Sequence, residues 1–343
     1  VDEGYAIAGQ TYSYGAGGDD FWLVRTDSSG NALWNKTYGG TSFDIAYDLV
    51  QTADGGYALA GKTDVQGQNF WLVKTDSAGN AEWDKMYGGN AAEGAFALVQ
   101  TSDEGYALAG WTYGGGFGQR DFWLVKTDSA GNAEWSKAYG GTSLELAYDL
   151  EQTADGGYAL AGHTDSYGAG GYDFWLVKTD SVGNALWNKT YGGTGWDEAN
   201  SLVRTNDGGY ALAGYTNSSG AGKNDFWLVK IAPARDVAVV SVTASPASVA
   251  QGEIVTVTVV VKNEGDISET FSVTTYYDNT AISSQTVTNL SPGASQTLYF
   301  YWNTAGVALG TYTIKAVAST VPDETDTADN TKIDGTVTVI ARD

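Results

Sequence analysis

Gly157-Tyr158-Ala159-Leu160-Ala161-Gly162 and, a short loop later, Phe174-Trp175-Leu176-Val177-Lys178 decide the fold. The second segment is apolar at both odd and even positions. In a strand these point to opposite faces, so both faces must be buried. The first segment carries small residues, as a strand crowded by neighbours requires. Neither is unique. Gly-Tyr-Ala-Leu/Ile-Ala-Gly starts at Gly4, Gly56, Gly105, Gly157 and Gly209, at successive offsets of 52, 49, 52 and 52 residues. Phe-Trp-Leu-Val-Lys/Arg starts at Phe21, Phe70, Phe122, Phe174 and Phe226. The short offset has a local cause, since the loop Asp64–Asn69 is three residues shorter than Tyr12–Asp20.

Working outward, each pair is followed by Thr-Asp-Ser-x-Gly-Asn (as Thr26–Asn31), Trp-x-Lys-x-Tyr-Gly-Gly (Trp34–Gly40) and Ala-Tyr-Asp-Leu-Val-Gln-Thr (Ala46–Thr52). These three occur four times with small variations. Every unit therefore holds four strand-length segments separated by Gly, Asp and Asn turn signals. Sheets of that kind, buried on both faces and recurring about every 50 residues, describe the blades of a β-propeller. The expectation is an all-β chain with four and a half repeats, as a five-bladed ring or part of a larger one. Both ends carry the same half-unit, so one blade is expected to have only two strands and an exposed edge that invites pairing.

From Ala232 the pattern changes. Ala232–Arg235 reads as a linker, and seven strands follow: 237–243, 254–262, 271–277, 282–287, 295–302, 310–318 and 335–340. Val255-Thr256-Val257-Thr258-Val259 alternates one face on a core and one in water. Seven short strands with Asn-Glu-Gly and Ser-Pro-Gly turns predict an immunoglobulin-like sandwich. The division is thus 1–231 repeat domain, 232–235 linker and 236–343 sandwich.

Asp236-Val237-Ala238-Val239, Val255–Asp266, Leu290-Ser291-Pro292-Gly293, Tyr301-Trp302-Asn303-Thr304 and Asp323–Asn330 resemble, in family order, the CARDB domain, a cell-adhesion-related module of prokaryotic surface proteins. The repeats are similar to those of large archaeal and bacterial envelope proteins, including S-layer-type proteins. Together the resemblances imply an extracellular cell-surface protein, archaeal in type, acting in envelope architecture or adhesion without catalysis.

Composition narrows the partners. The chain carries 41 Asp and Glu against 18 Lys and Arg, a net charge of −23. That excludes a nucleic-acid footprint and an anionic membrane surface. No apolar run is long enough for membrane insertion in this segment, and no signal peptide is present. The opening at Val1-Asp2-Glu3-Gly4-Tyr5, inside a repeat, is consistent with a leader removed upstream. The absence of Cys removes disulfides, thiolate metal sites and Cys nucleophiles.

His163 is the only histidine, which argues against a zinc site or a His-based triad. Its equivalents after each Ala-Gly are Gln10, Lys62, Trp111 and Tyr215, unlike side chains within near-identical repeats. They are either drift at an exposed position or a ligand ring on one propeller face. The recurring Trp residues read as inter-blade core, whereas Trp111 and Trp196 break the pattern and are the candidate exposed contacts. The acids Asp44, Glu93, Glu145 and Asp197 recur one per blade, as do Lys36, Lys85, Lys137 and Lys189. This reads as a repeated hydrogen bond or ion pair rather than the close carboxylate pair of a glycosidase. Thr-Asp-Ser-x-Gly-Asn is a turn by its ligand count, with one Asp where calcium wants several. The loop holding Asp323, Glu324, Asp326 and Asp329 has enough oxygens for Ca²⁺, or is a solvated turn. No other cofactor is expected. Sequons at Asn35, Asn188, Asn217 and Asn289 are glycosylation candidates.

The reading that follows is a non-enzymatic structural protein of the envelope or of an appendage, such as an S-layer, sheath, filament or adhesion component. Its partners would be itself, other envelope proteins or glycans. The alternative is a lectin-like propeller binding carbohydrate or protein.

Overall fold

In the computed structural model, residues 3–342 are described except Gln66, Gly116 and Thr325. The described residues form strands and loops without an α-helix, so no helix is long and apolar enough to cross a membrane. Two compact units emerge: residues 1–204 with 211–230, and residues 205–210 with 231–343.

The first unit is a succession of antiparallel sheets. Sheet one holds β1 (Ala6–Thr11), β2 (Asp20–Thr26) and β3 (Ala32–Tyr38). Sheet two holds β4 (Asp44–Gln51), β5 (Tyr57–Thr63), β6 (Asn69–Thr75) and β7 (Ala81–Tyr87). Sheet three holds β8 (Glu93–Gln100), β9 (Tyr106–Thr112), β10 (Asp121–Thr127) and β11 (Ala133–Tyr139). Sheet four holds β12 (Glu145–Gln152), β13 (Tyr158–Thr164), β14 (Asp173–Thr179) and β15 (Ala185–Tyr191). Sheet five holds β16 (Asp197–Arg204), β17 (Tyr210–Thr216) and β18 (Asp225–Ile231).

This partition corrects the expected half-blade. The Ala-Tyr-Asp segment opens each complete sheet rather than closing it, so the ends are two three-stranded sheets, not one two-stranded remnant. Among the described residues, sheet one has no counterpart of the opening strand and sheet five none of the closing one. The opening strands β4, β8, β12 and β16 touch one another in turn and form the inner side of the array. β4, β8 and β12 each have a bulge in the first half, between Ala46 and Asp48 in β4, for example, and the bulge residues Tyr47 and Phe96 meet at 5.0 Å. The ring does not close: Phe226 and Leu228 of sheet five and Tyr5 and Ile7 of sheet one, at positions that are buried between successive sheets elsewhere, are exposed.

Identical contacts recur at each junction because the sequence recurs. Phe21 packs on Trp71, Phe70 on Trp123 and Phe122 on Trp175, each at 4.5 Å, and Phe174 on Trp227 at 4.7 Å. The Trp residues are thus inter-sheet core, as expected. Tyr38, Tyr87 and Tyr139 donate their hydroxyls to the carbonyls of Gly79, Gly131 and Gly183 in the turn of the next sheet, at 2.7–2.8 Å. That turn is the Thr-Asp-Ser-x-Gly-Asn segment. Asp128 Oδ1 accepts from the Ala130 and Asn132 amides and Oδ2 from the Asn132 side chain, so its oxygens serve the turn. Tyr87→Phe is expected to lower stability by about 1 kcal/mol in urea unfolding, because the buried Gly131 carbonyl loses its donor. An unchanged midpoint would remove this bond from the account of the junction.

In the second unit, β19 (Val237–Ser245), β21 (Ile254–Asn263) and β24 (Ser295–Asn303) face a sheet ordered β20 (Ser248–Ala250), β26 (Thr331–Ile340), β25 (Gly310–Ala318), β22 (Glu269–Tyr277), β23 (Thr280–Leu290). All seven expected strands are present. The three-residue β20, paired parallel to β26, is the addition. Val255, Val257, Val259 and Val261 are fully buried in the core with Phe271, Phe300 and Trp302, as the alternation of Val and Thr requires.

Candidate functional site

The residues that break the repeat gather at the array end where the second strand of each sheet finishes. Gln10 is exposed and Lys62 half-buried. Trp111 is only 5% exposed, which corrects its reading as an exposed contact. The Arg120 guanidinium lies 4.1 Å from its ring centroid and holds it against Tyr113. Gly94 pairs with Trp111 across the sheet where Ile45 and Leu146 occupy the other sheets, and makes room for the indole.

His163 is 1% exposed and stacks on Tyr172 with centroids 4.3 Å apart. Its Nδ1 lies 3.3 Å from Glu198 Oε2, to which the half-buried Tyr215 also donates at 3.2 Å. Burial pushes the Glu198 carboxyl up, but His163, Asn200 and Tyr215 outweigh it and leave the pKa lowered. Tyr172 in turn stacks on Trp196, which is 58% exposed. Of the expected contact residues, His163, Tyr215 and Trp196 therefore form one assembly, with Trp196 its accessible member. Gln10, Lys62 and Trp111 stand apart from it.

The recurring acids do not pair with the recurring lysines. Lys36, Lys85 and Lys137 instead reach Asn80, Asn132 and Asn184 in the next turn. Each acid meets the first residue of the preceding sheet's Phe-Trp strand: Asp20 with Asp44, Asn69 with Glu93, Asp121 with Glu145 and Asp173 with Asp197. A Cβ added at Gly140 would fall 2.1 Å from Asp121 Oδ1 and 2.6 Å from Glu145 Oε2. Burial, and then the neighbouring acid, raise the pKa of Asp121 and Asp173. Burial is also the largest influence on Asp44, with Asp20 adding to it. Backbone amides of Gly40, Gly141 and Gly193 donate to Asp44, Glu145 and Asp197. These are junction elements repeated around the array.

In the sandwich, Glu324 caps backbone and side-chain donors, accepting from Val237, Val321 and Asn330. Asp323 and Asp326 lie outside the acidic cluster that does form. There Asp329 meets Asp236 and Glu264, with ligand oxygens within 4.8 Å of one another. Asp236 Oδ1 and Asp329 Oδ1 are buried without a hydrogen bond. Burial, then Asp329 and the other acids around it, push Asp236 up to about 7. Sequence reading missed Asp236 and Glu264 because they are distant in the chain, although both lie in the family-like segments. The sequon residues Asn35, Asn188, Asn217 and Asn289 are all exposed, with Asn35 and Asn188 accepting from the Trp22 and Trp175 indoles.

The CARDB family profile matches residues 234–333. A CARDB domain from Pyrococcus furiosus, solved in complex with di-metal ions, is 26% identical over 31% of this chain and 89% of its own, with a TM-score of 0.27. A domain of a candidate cell surface protein from Methanosarcina acetivorans is 26% identical over 32% of this chain and 95% of its own, with the same TM-score of 0.27. A bifunctional GH43-CE protein from Bacteroides eggerthii is 12% identical over 98% of this chain and 57% of its own, with a TM-score of 0.36. No curated protein matches the sequence.

Proposed function

Residues 234–333 are a CARDB domain, a module of cell-surface proteins, and from that premise we propose that the whole chain is a non-enzymatic structural component of the envelope or of a surface appendage. One observation carries this reading: the surface that joins sheet to sheet is left uncovered on sheet five. Phe226 is 76% and Leu228 59% exposed, while their equivalents Phe21, Phe70, Phe122, Phe174, Leu23, Leu72, Leu124 and Leu176 are fully buried. At the other end Tyr5 is 60% and Ile7 55% exposed, against at most 4% for Tyr57, Tyr106, Tyr158 and Tyr210. Exposed apolar faces of this kind mark association sites. Inside the array the partner of the sheet-five face is the Tyr- and Leu-bearing face of a following sheet, so a sheet of a second copy fits it.

The absence of catalysis is part of the proposal: the recurring carboxylates form repeated junctions, and the one His is engaged within an aromatic stack. The cluster Asp236, Glu264 and Asp329 is proposed as the Ca²⁺ site of the sandwich, and the exposed sequons as glycan attachment points. Negative-stain microscopy of native surface material tests the reading. Filaments or lattices labelled by an antibody to this chain are expected; label confined to dispersed single particles would overturn it. The lectin-like alternative rests on the exposed Trp196 stacked on Tyr172.

A further inference from the structure

The junction of sheets two and three holds a cavity that is filled at the junction of sheets three and four. It has a volume of about 440 Å³, opens to solvent, and runs from the Gly88-Gly89 turn to Trp123. At the junction of sheets three and four, Tyr167 occupies the corresponding place. Its ring packs on Trp175 with centroids 5.5 Å apart, and its hydroxyl donates to the Gly140 carbonyl at 2.8 Å. In sheet one Tyr14 likewise stacks on Trp22. The residue at that position in sheet three is Gly115, so one side of the Trp123 indole is uncovered. Phe70 packs against the indole at 4.5 Å.

A second substitution changes the polarity of the same wall. The indole N–H groups of Trp22, Trp71 and Trp175 donate to Asn35, Asp84 and Asn188 at 3.0–3.3 Å. The equivalent in sheet three is Ser136, which lines the cavity and does not take the Trp123 N–H. On the same strand Ala138 stands where Thr37, Met86 and Thr190 are found elsewhere. At the floor lies Glu93, 3% exposed, with Oε1 accepting from the Thr112 hydroxyl at 3.3 Å. The Gly89 amide faces its carboxylate, as the Gly40, Gly141 and Gly193 amides face those of Asp44, Glu145 and Asp197.

An uncovered aromatic, a free indole donor, a serine hydroxyl and a buried carboxylate make one wall set. Three replacements by smaller residues, Gly115, Ser136 and Ala138, open the space between them. We propose that this cavity is a carbohydrate site that takes one hexose-type ring. The sugar C–H face would lie against Trp123, its hydroxyls would donate to Glu93, and a ring or hydroxyl oxygen would accept from the Trp123 N–H or Ser136. The volume suits a small ligand, and aromatic stacking combined with a few fixed polar groups supplies orientation. The site is independent of the assembly reading.

The test is a titration of the ¹⁵N-labelled full chain with methyl glycosides of glucose, galactose, mannose and N-acetylglucosamine, followed at the indole N–H of Trp123. At least one glycoside is expected to shift that signal saturably. Gly115→Tyr, which copies Tyr167 into the cavity, and Ser136→Asn, which restores the indole acceptor, are each expected to weaken binding about tenfold or more. Gly115 lies outside the left-handed region, so a side chain there needs only the Asp121 carboxylate and Ala138 to yield. Ser136→Asn, at an exposed position, keeps the test valid if the first variant misfolds. Binding of methyl glycosides points to glycan termini as the source, and binding of reducing sugars alone to free sugars. No shift with any sugar up to about 50 mM, or a shift that survives both variants undiminished, would overturn the assignment.

Discussion

Phe122→Ala is expected to cost about 3–5 kcal/mol of stability, and Phe226→Ala close to nothing in the monomer. The two residues occupy the same place in the repeat, within Asp-Phe-Trp-Leu-Val-Lys. Phe122 is fully buried and packs on Trp175 of the next sheet, so truncation leaves a cavity between two sheets. Phe226 is 76% exposed and has no following sheet to meet. The measurement is chemical denaturation of both variants at low protein concentration. A closed ring would bury both residues and make the two costs equal. Equal costs would therefore refute the open array, whereas a difference of several kcal/mol between identical repeat positions supports it.

The second large effect concerns the acidic cluster of the sandwich. Adding Ca²⁺ at about 100 times its dissociation constant is expected to stabilise the folded domain by about 2.7 kcal/mol, or about 10 °C for a unit of this size. Asp236, Glu264 and Asp329 would supply the carboxylate ligands. Without the ion, pH acts in a definite direction. Asp236 is pushed up to about 7 by burial and by the acids around it, above its ordinary 3.8. Its proton is therefore held more tightly in the folded state. The stability this provides is full below about pH 4 and lost as pH rises through about 7. A chelated sample should melt lower at pH 8 than at pH 5.5 by this contribution, and Ca²⁺ should reverse the loss at pH 8. Asp236→Asn should remove both responses while leaving the domain folded. Melting temperatures indifferent to chelator and Ca²⁺ would remove the metal site.

The parts of this structure legible from sequence are those where one physical cause dominates. Val255 to Val261 alternate with Thr, and the alternation alone puts one face in the core. The Phe-Trp-Leu-Val runs are apolar on both faces, which demanded sheets stacked on sheets. How four strands per unit divide into sheets was not legible. A periodic chain can be cut at any of four places, and hydrophobicity is the same for each cut. Hydrogen-bonded pairing of the Ala-Tyr-Asp strand with the following Gly-Tyr-Ala strand makes the choice, and it turns the expected half-blade into two three-stranded ends.

The candidate sites divide in the same manner. Trp111 differs from its equivalents, but difference did not mean exposure, because Gly94 and Arg120 changed with it and enclosed the ring. Asp329 was visible as an acid in an acidic loop. Its partners Asp236 and Glu264 come from the start of β19 and the turn after β21, a convergence that only the sandwich creates. The carbohydrate cavity was written in the repeat as missing bulk: Gly115 for Tyr14 and Tyr167, and Ser136 for Asn35 and Asn188. Reading repeats for what is lost, as well as for what is unusual, would have found it.

Light scattering of the full chain over a wide concentration range tests the central claim most directly. An array with an uncovered junction face on sheet five predicts a mass that rises with concentration. Phe226→Asp combined with Leu228→Asp should hold the mass at that of one chain, since each places a charge on a face that must be buried to associate. A wild-type chain that stays a single, monodisperse monomer throughout would contradict the account.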